Sequence, residues 1–206
     1  MSKLSVELEQ YFFEELTTES VQLQQIVELA GERLFGLLLV LLSLPSALPI
    51  PAPGYSTPFG VVIFLLASQL IIGRTKPWIP DKMLHKSWPT SQVQSVIKAG
   101  LPWLKRLETI TKPRYTYVCT SRAGRTLLGI AMSLMAISMM IPIPGTNTLP
   151  AIGVFVTAFG LQEDDGLISL GGLGICVAGL SLTTLILIFG QEVVKQIIDW
   201  IRAFQF

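Results

Sequence analysis

Ile50-Pro51-Ala52-Pro53-Gly54 stands between two uncharged apolar runs, and Ile141-Pro142-Ile143-Pro144-Gly145 stands between two more, 91 residues further on. The offset persists past the breaks, where Phe64 matches Phe155, Ala67 matches Ala158 and Leu70 matches Leu161. Pro58 meets Pro150 only after a slip of one residue. An apolar run, a proline–glycine break and a second apolar run, present twice, predict a membrane protein built from internal repeats. In such proteins the repeat interface is a usual place for function.

The first pair of runs is Leu34–Ile50 and Pro58–Gly73, the second Thr126–Pro144 and Leu149–Leu161. A helix cannot cross the prolines between them intact. The arms of the first pair, 16 or 17 residues each, fall short of the roughly 20 that an untilted helix needs to span a bilayer. They therefore read as short spanning helices or as a re-entrant hairpin, and the same holds for the second pair. Backbone broken at membrane depth must be buried in protein or face a water-filled cavity. Gly166–Gly190 differs, with 25 uncharged residues and a clear spanning length. Its Gly171, Gly172, Gly174, Ala178, Gly179 and Ser181 offer small surfaces for helix packing.

The predicted fold is an all-α integral membrane protein, a single membrane domain over residues 1–206. An amphipathic N-terminal helix covers 1–33, and hairpin repeats occupy 34–73 and 126–161. Between the repeats, 74–125 is a basic cytoplasmic or interfacial linker with short helices such as Ser91–Leu107. A transmembrane helix follows over 166–190, then an amphipathic C-terminal helix over 191–206 that lies at an interface.

Composition agrees. Half of the residues are hydrophobic and 14% are charged, and mean hydropathy is +0.59, unlike a soluble domain. The net charge of +1 hides segregation: residues 1–33 sum to −5 and residues 74–125 to +9. The basic segment carries Trp78, Trp88 and Trp103, which suits the cytoplasmic headgroup layer. Apolar runs on both sides tether it to lipid, so nucleic acid is not an expected partner. The acidic, amphipathic start does not read as a secretory signal. Cys119 and Cys176 show no pairing logic, and a lone histidine makes no metal site.

Arg33 and Glu32 abut the first apolar arm, while Gln69 and Arg74 end the second. Polar groups beside short hairpins are candidates for a substrate or ion path. The alternative for the arginines is snorkelling into the headgroups. Glu163, Asp164 and Asp165 precede the long span. Three adjacent carboxylates offer a cation site, a proton carrier with a raised pKa, a helix end in water, or pairing with Arg33, Arg74, Arg122 or Arg125. Ser56, Thr57, Thr146, Asn147 and Thr148 decorate the hairpin tips, to satisfy broken backbone or to line a polar cavity. Pro58 and Pro150 stand near the first positions of the second arms, which aims helix N-termini at the tips, where an anion is electrostatically favoured.

Several stretches resemble the ExoD family of bacterial exopolysaccharide-synthesis membrane proteins. They are Glu32-Arg33-Leu34-Phe35-Gly36, the run from Leu48 to Thr57, Ser68 to Arg74 with Pro77-Trp78-Ile79-Pro80, Lys112-Pro113-Arg114, and the runs Pro142 to Ala151 and Leu161 to Gly166. The resemblance implies a bacterial inner-membrane protein needed for exopolysaccharide production or its regulation, and it implies no reaction.

Two functions from different classes follow. One is a small transporter or channel, working as a homodimer in membrane lipid, that moves an ion or lipid-linked precursor. The other is a non-transporting scaffold that organises polysaccharide machinery. An enzyme is not expected, because no Ser/His/Asp set, HExxH or phosphate loop appears, and no cofactor or metal is called for.

Overall fold

The computed structural model describes residues 4–16, 18, 20–31, 33–48, 56–141 and 147–203. The breaks at Pro51, Pro53, Gly54, Pro142, Pro144 and Gly145, with Glu32 and Thr146, lie outside the described residues. In chain order the elements are α1 (Leu4–Gln10), a π-helical turn (Tyr11–Glu15), β1 (Ser20–Gln22), α2 (Leu23–Ala30), α3 (Arg33–Ala47) and α4 (Ser56–Ile72). There follow α5 (Asp81–Leu84), β2 (Ser87–Pro89), α6 (Thr90–Ile110), α7 (Tyr117–Thr120), α8 (Arg122–Met140), α9 (Thr148–Gln162) and α10 (Gly166–Ala203).

α4 packs along α8 and α3 along α9, with lesser contacts joining α3 to α4 and α8 to α9. A shift of 91 residues carries α3 into the range of α8 and α4 onto α9, so the two principal contacts exchange. Small residues permit the approach. A Cβ at Gly60 would meet Ala136, Met139 and Met140, and one at Gly129 would meet Ala67 and Ile71. Gly73, at φ 87°, lies against Arg122. α4 is therefore antiparallel to α8. A Cβ at Gly36 would stand 2.6 Å from the Cβ of Gln162, which places the start of α3 at the end of α9. Arg125, in the first turn of α8, lies 6.0 Å from the ring of Phe35, in the first turn of α3. Both helix starts and both helix ends thus share one pole.

The space between these four helices is filled by Phe35, Leu39, Ile63, Leu70, Leu128, Met132, Met135 and Met139, each under 2% exposed. The outside is apolar too: Leu41, Leu65, Ile72, Leu127 and Val177 are all more than half exposed. α10 runs antiparallel to α9, from Gly160 against Ser169, through Gly153 against Cys176, to Gly179 against Pro150. It breaks at Gly190, whose φ of 77° and ψ of 173° suit only glycine. Among the described residues, two helices, Arg122–Met140 and Gly166–Gly190, are long and apolar enough to cross a membrane.

The remaining elements form a layer on the charged pole, and they include strands as well as helices. β1 pairs antiparallel with β2, Val21 opposite Trp88. Val21 is fully buried between exposed neighbours, the period-2 pattern of a strand, too short to stand out from the helical stretch around it. α6 forms one helix that includes Pro102. The N-terminal segment runs antiparallel along α6: Glu9 pairs with Lys105 at 2.6 Å, the Gln94 amide donates to the Phe12 carbonyl, and the Thr90 hydroxyl donates to the Thr18 carbonyl.

Candidate functional site

Charge gathers at the shared pole, and the three adjacent carboxylates divide their work there. Asp165 is 1% exposed. Its Oδ1 accepts from the backbone N–H groups of Leu167 and Ile168, and its Oδ2 accepts from Lys112 N at 3.1 Å. Two orphan donors of α10 and one loop amide are satisfied, so this side chain is an N-cap. Asp164 adopts a left-handed φ of 53° in the tight link between α9 and α10.

Glu163 is the chemically interesting member. Its Oε2 accepts from the Thr111 hydroxyl at 3.3 Å and its Oε1 from the Gln162 amide at 3.2 Å. Burial raises its carboxyl above the ordinary 4.5, the nearby Glu108 charge raises it further, and Thr111, Arg33 and Gln162 act in the opposite direction. Glu108, at the end of α6, is 4% exposed. It takes a backbone N–H and a hydroxyl from Ser5, at 2.8 and 2.5 Å. Half-buried Arg33 opens α3 close enough to lower the Glu163 pKa. The pole therefore brings together α1, α3, α6 and α9 around two carboxylates and one guanidinium.

The other candidates have structural partners. The Gln69 amide bonds both the N–H and the carbonyl of Trp78, which pins the chain leaving α4. Arg74 is exposed, but its carbonyl accepts from Arg125 Nη2 at 3.0 Å. Asn147 stands at the opposite pole, where its amide reaches the Met139 carbonyl at 3.4 Å. The structure thus joins Arg33 and Glu163 at the pole, places Arg74 and Asp165 nearby in supporting roles, and separates Asn147 from them.

Sequence reading offered Arg125 only as a partner for the carboxylates, and it missed Glu108 and Ser5, which meet across 103 residues. A buried glutamate at the end of an amphipathic helix gives no local signal. Both cysteines are free and buried. Burial pushes the Cys119 thiol up to about 11, with a Ser169 hydrogen bond acting the other way, so it is a poor nucleophile at neutral pH. Among the described residues, no group of three or more His, Cys, Asp or Glu side chains is placed to hold a metal ion.

The profile of the family described as exopolysaccharide synthesis, ExoD, matches residues 4–185. The chain belongs to the ExoD family. It is 54% identical over 207 residues to an uncharacterized protein of Synechocystis sp., covering 98% of each chain. To Protein ExoD of Rhizobium meliloti it is 29% identical over 162 residues, covering 77% of this chain and 67% of that one. No solved structure matches. Membership in the ExoD family suggests a role in exopolysaccharide synthesis and leaves the molecular task to be argued from the fold.

Proposed function

We propose that this ExoD-family chain is a multi-pass protein of the bacterial inner membrane. It supports exopolysaccharide synthesis as a non-transporting scaffold, and its charged pole faces the cytoplasm. The helix pairs α3–α4 and α8–α9 are tandem hairpin repeats related by an approximate two-fold axis along the bundle. One observation carries this reading: an apolar interior and an apolar exterior coexist, while the charged residues that precede α10 gather at one end. A water-soluble bundle exposes few large apolar residues in contiguous patches, and lipid is the solvent that accepts this exterior. The positive-inside rule, which counts Lys and Arg, favours a cytoplasmic position for the pole that carries residues 74–125, where polysaccharide machinery would meet it.

The packed interior favours scaffold over channel, since an ion path needs polar lining. A transporter that moves an ion or lipid-linked precursor is the second reading. It draws support from the raised Glu163 pKa beside Glu108 and Arg33, and from the buried Ser46 and Ser133 hydroxyls, which have no partner among the described residues. A homodimer would close over the outer face of α10, where a Cβ at Gly171 or Gly174 meets nothing.

Flux assays in proteoliposomes separate the two, run beside polysaccharide complementation with Glu163→Gln protein. The scaffold reading expects no flux and full complementation by the folded variant. Flux lost in the variant overturns it in favour of transport.

A further inference from the structure

The segment from Thr111 to Tyr117 joins the polar layer to the bundle, and it is pinned from behind at three successive points. The Thr111 hydroxyl donates to Glu163, the Lys112 N–H donates to Asp165, and the Arg114 carbonyl accepts from Gly166 N at 2.7 Å. Gly166 has no room for a side chain, because its Cβ would fall 2.3 Å from the Tyr115 carbonyl oxygen. Two of the three anchors are carboxylates turned inward, so the acidic groups hold the back of the segment.

Its front is different. Lys112, Pro113, Arg114, Thr116 and Tyr117 are exposed, and Tyr115 and Tyr117 are 60% and 64% exposed. The two rings meet edge to face at 6.4 Å. Tyr115 is held at a φ of 46°, a left-handed conformation uncommon for a bulky residue. Burial of the ring does not explain that conformation, since the ring points to the outside. The surface continues without a gap onto α10, where Leu167, next to Gly166, is 46% exposed and Leu170 41%.

We propose that Lys112, Arg114, Tyr115 and Tyr117 form a preorganised docking surface for the anionic phospholipid headgroup layer. The two cations take lipid phosphates, and the tyrosine rings sit at headgroup depth. Charge complementarity and the continuity with exposed leucines select this occupant over an acidic protein, which would leave that apolar border uncovered. Amphipathic rings at the interface and basic groups beside anionic lipid are favourable placements. The inference rests on the membrane reading above and adds which lipid the pole selects and where.

The test uses the full chain in nanodiscs of phosphatidylcholine, with and without phosphatidylglycerol. Lipid retained by the protein is counted by native mass spectrometry and thermal stability is followed in parallel. Phosphatidylglycerol enrichment is expected, and Lys112→Gln/Arg114→Gln should reduce it by up to about thirtyfold, with stability in phosphatidylcholine unchanged. Tyr115→Gly, which relieves the left-handed strain and removes the ring, should reduce the enrichment too. Enrichment unaltered in the double variant overturns the inference. So does equal stabilisation by inorganic phosphate in phosphatidylcholine discs, which would mean a small-anion site. Release of the chain from native membranes by alkaline carbonate would overturn the membrane reading itself, an outcome distinct from both.

Discussion

The helix pairs α3–α4 and α8–α9 share an inner face and differ on the outside. Within the bundle both pairs supply apolar residues at matching positions, such as Leu70 and Leu161, or Ala67 and Ala158. Outside, Val62 and Leu65 of α4 are 42% and 56% exposed. At the 91-residue offset α9 carries Gly153 and Val156, and Gly153 lies against Cys176 of α10. Gln69, which holds Trp78, corresponds to Gly160, which is packed against Ser169. Arg74, exposed, corresponds to the buried Asp165. The two helix pairs thus meet two different surroundings. The outer face of α4 presents branched apolar residues, whereas α9 carries Gly153 and Gly160 where α10 lies against it.

The strongest way to break this contrast is to fill the α9–α10 seam. Gly160→Ala would put a Cβ 2.4 Å from Ser169 N, and overpacking against backbone costs about 3 kcal/mol or prevents folding. Val62→Ala on the matching exterior of α4 should stay within about 1 kcal/mol. Unfolding of both variants in detergent gives the comparison. Equal effects would mean that α10 does not lie on α9.

Asp165 and Arg74 form the next pair. Asp165→Ala removes a helix cap and strands the Lys112 amide, at a cost of about 2–4 kcal/mol. Arg74→Ala keeps the carbonyl that Arg125 uses and should cost less than about 0.5 kcal/mol. Denaturant midpoints of the two variants measure the gap.

Glu163 sharpens the comparison through pH. Its folded pKa is raised above 4.5, so the folded state favours the protonated carboxyl. That contribution is fully present below pH 4.5 and is lost as pH rises through the raised value. Glu163→Gln fixes an uncharged group there. The variant's melting temperature should exceed that of the parent chain at neutral pH and converge with it on acidification. A constant gap across pH would remove Glu108 and burial as the cause.

The smallest effect belongs to the uncovered face of α10. A methyl group at Gly171 meets open space, so Gly171→Ala should stabilise the helix by up to about 1 kcal/mol, read as a shift in melting temperature. A marked loss instead would place a second helix on that face.

Much of the bundle was legible because the signals are long. Four uncharged runs with proline between them fix α3, α4, α8 and α9, and 25 uncharged residues ending at Gly190 fix the membrane-length part of α10. The pole was less legible. Glu163 and Thr111 meet across 52 residues, and Glu108 and Ser5 across 103, distances over which no pattern of period 2 or 3.6 carries information. Asp165 could be read as the end of a helix in water, but that it is buried depends on the Lys112 amide that meets it. The strands at Val21 and Trp88 are three residues long, too short for alternation to outweigh the surrounding helical spacing.

The account depends most on both helix pairs returning to one pole. Single cysteines at Lys76 and Asp164, in a chain whose Cys119 and Cys176 are replaced by alanine, can be labelled with an impermeant maleimide in sealed, oriented vesicles. The account predicts that both react from the same side, with a cysteine at Asn147 unreactive from that side. Reaction of Lys76→Cys and Asp164→Cys from opposite sides would contradict it, because the helix pairs would then be inverted with respect to each other.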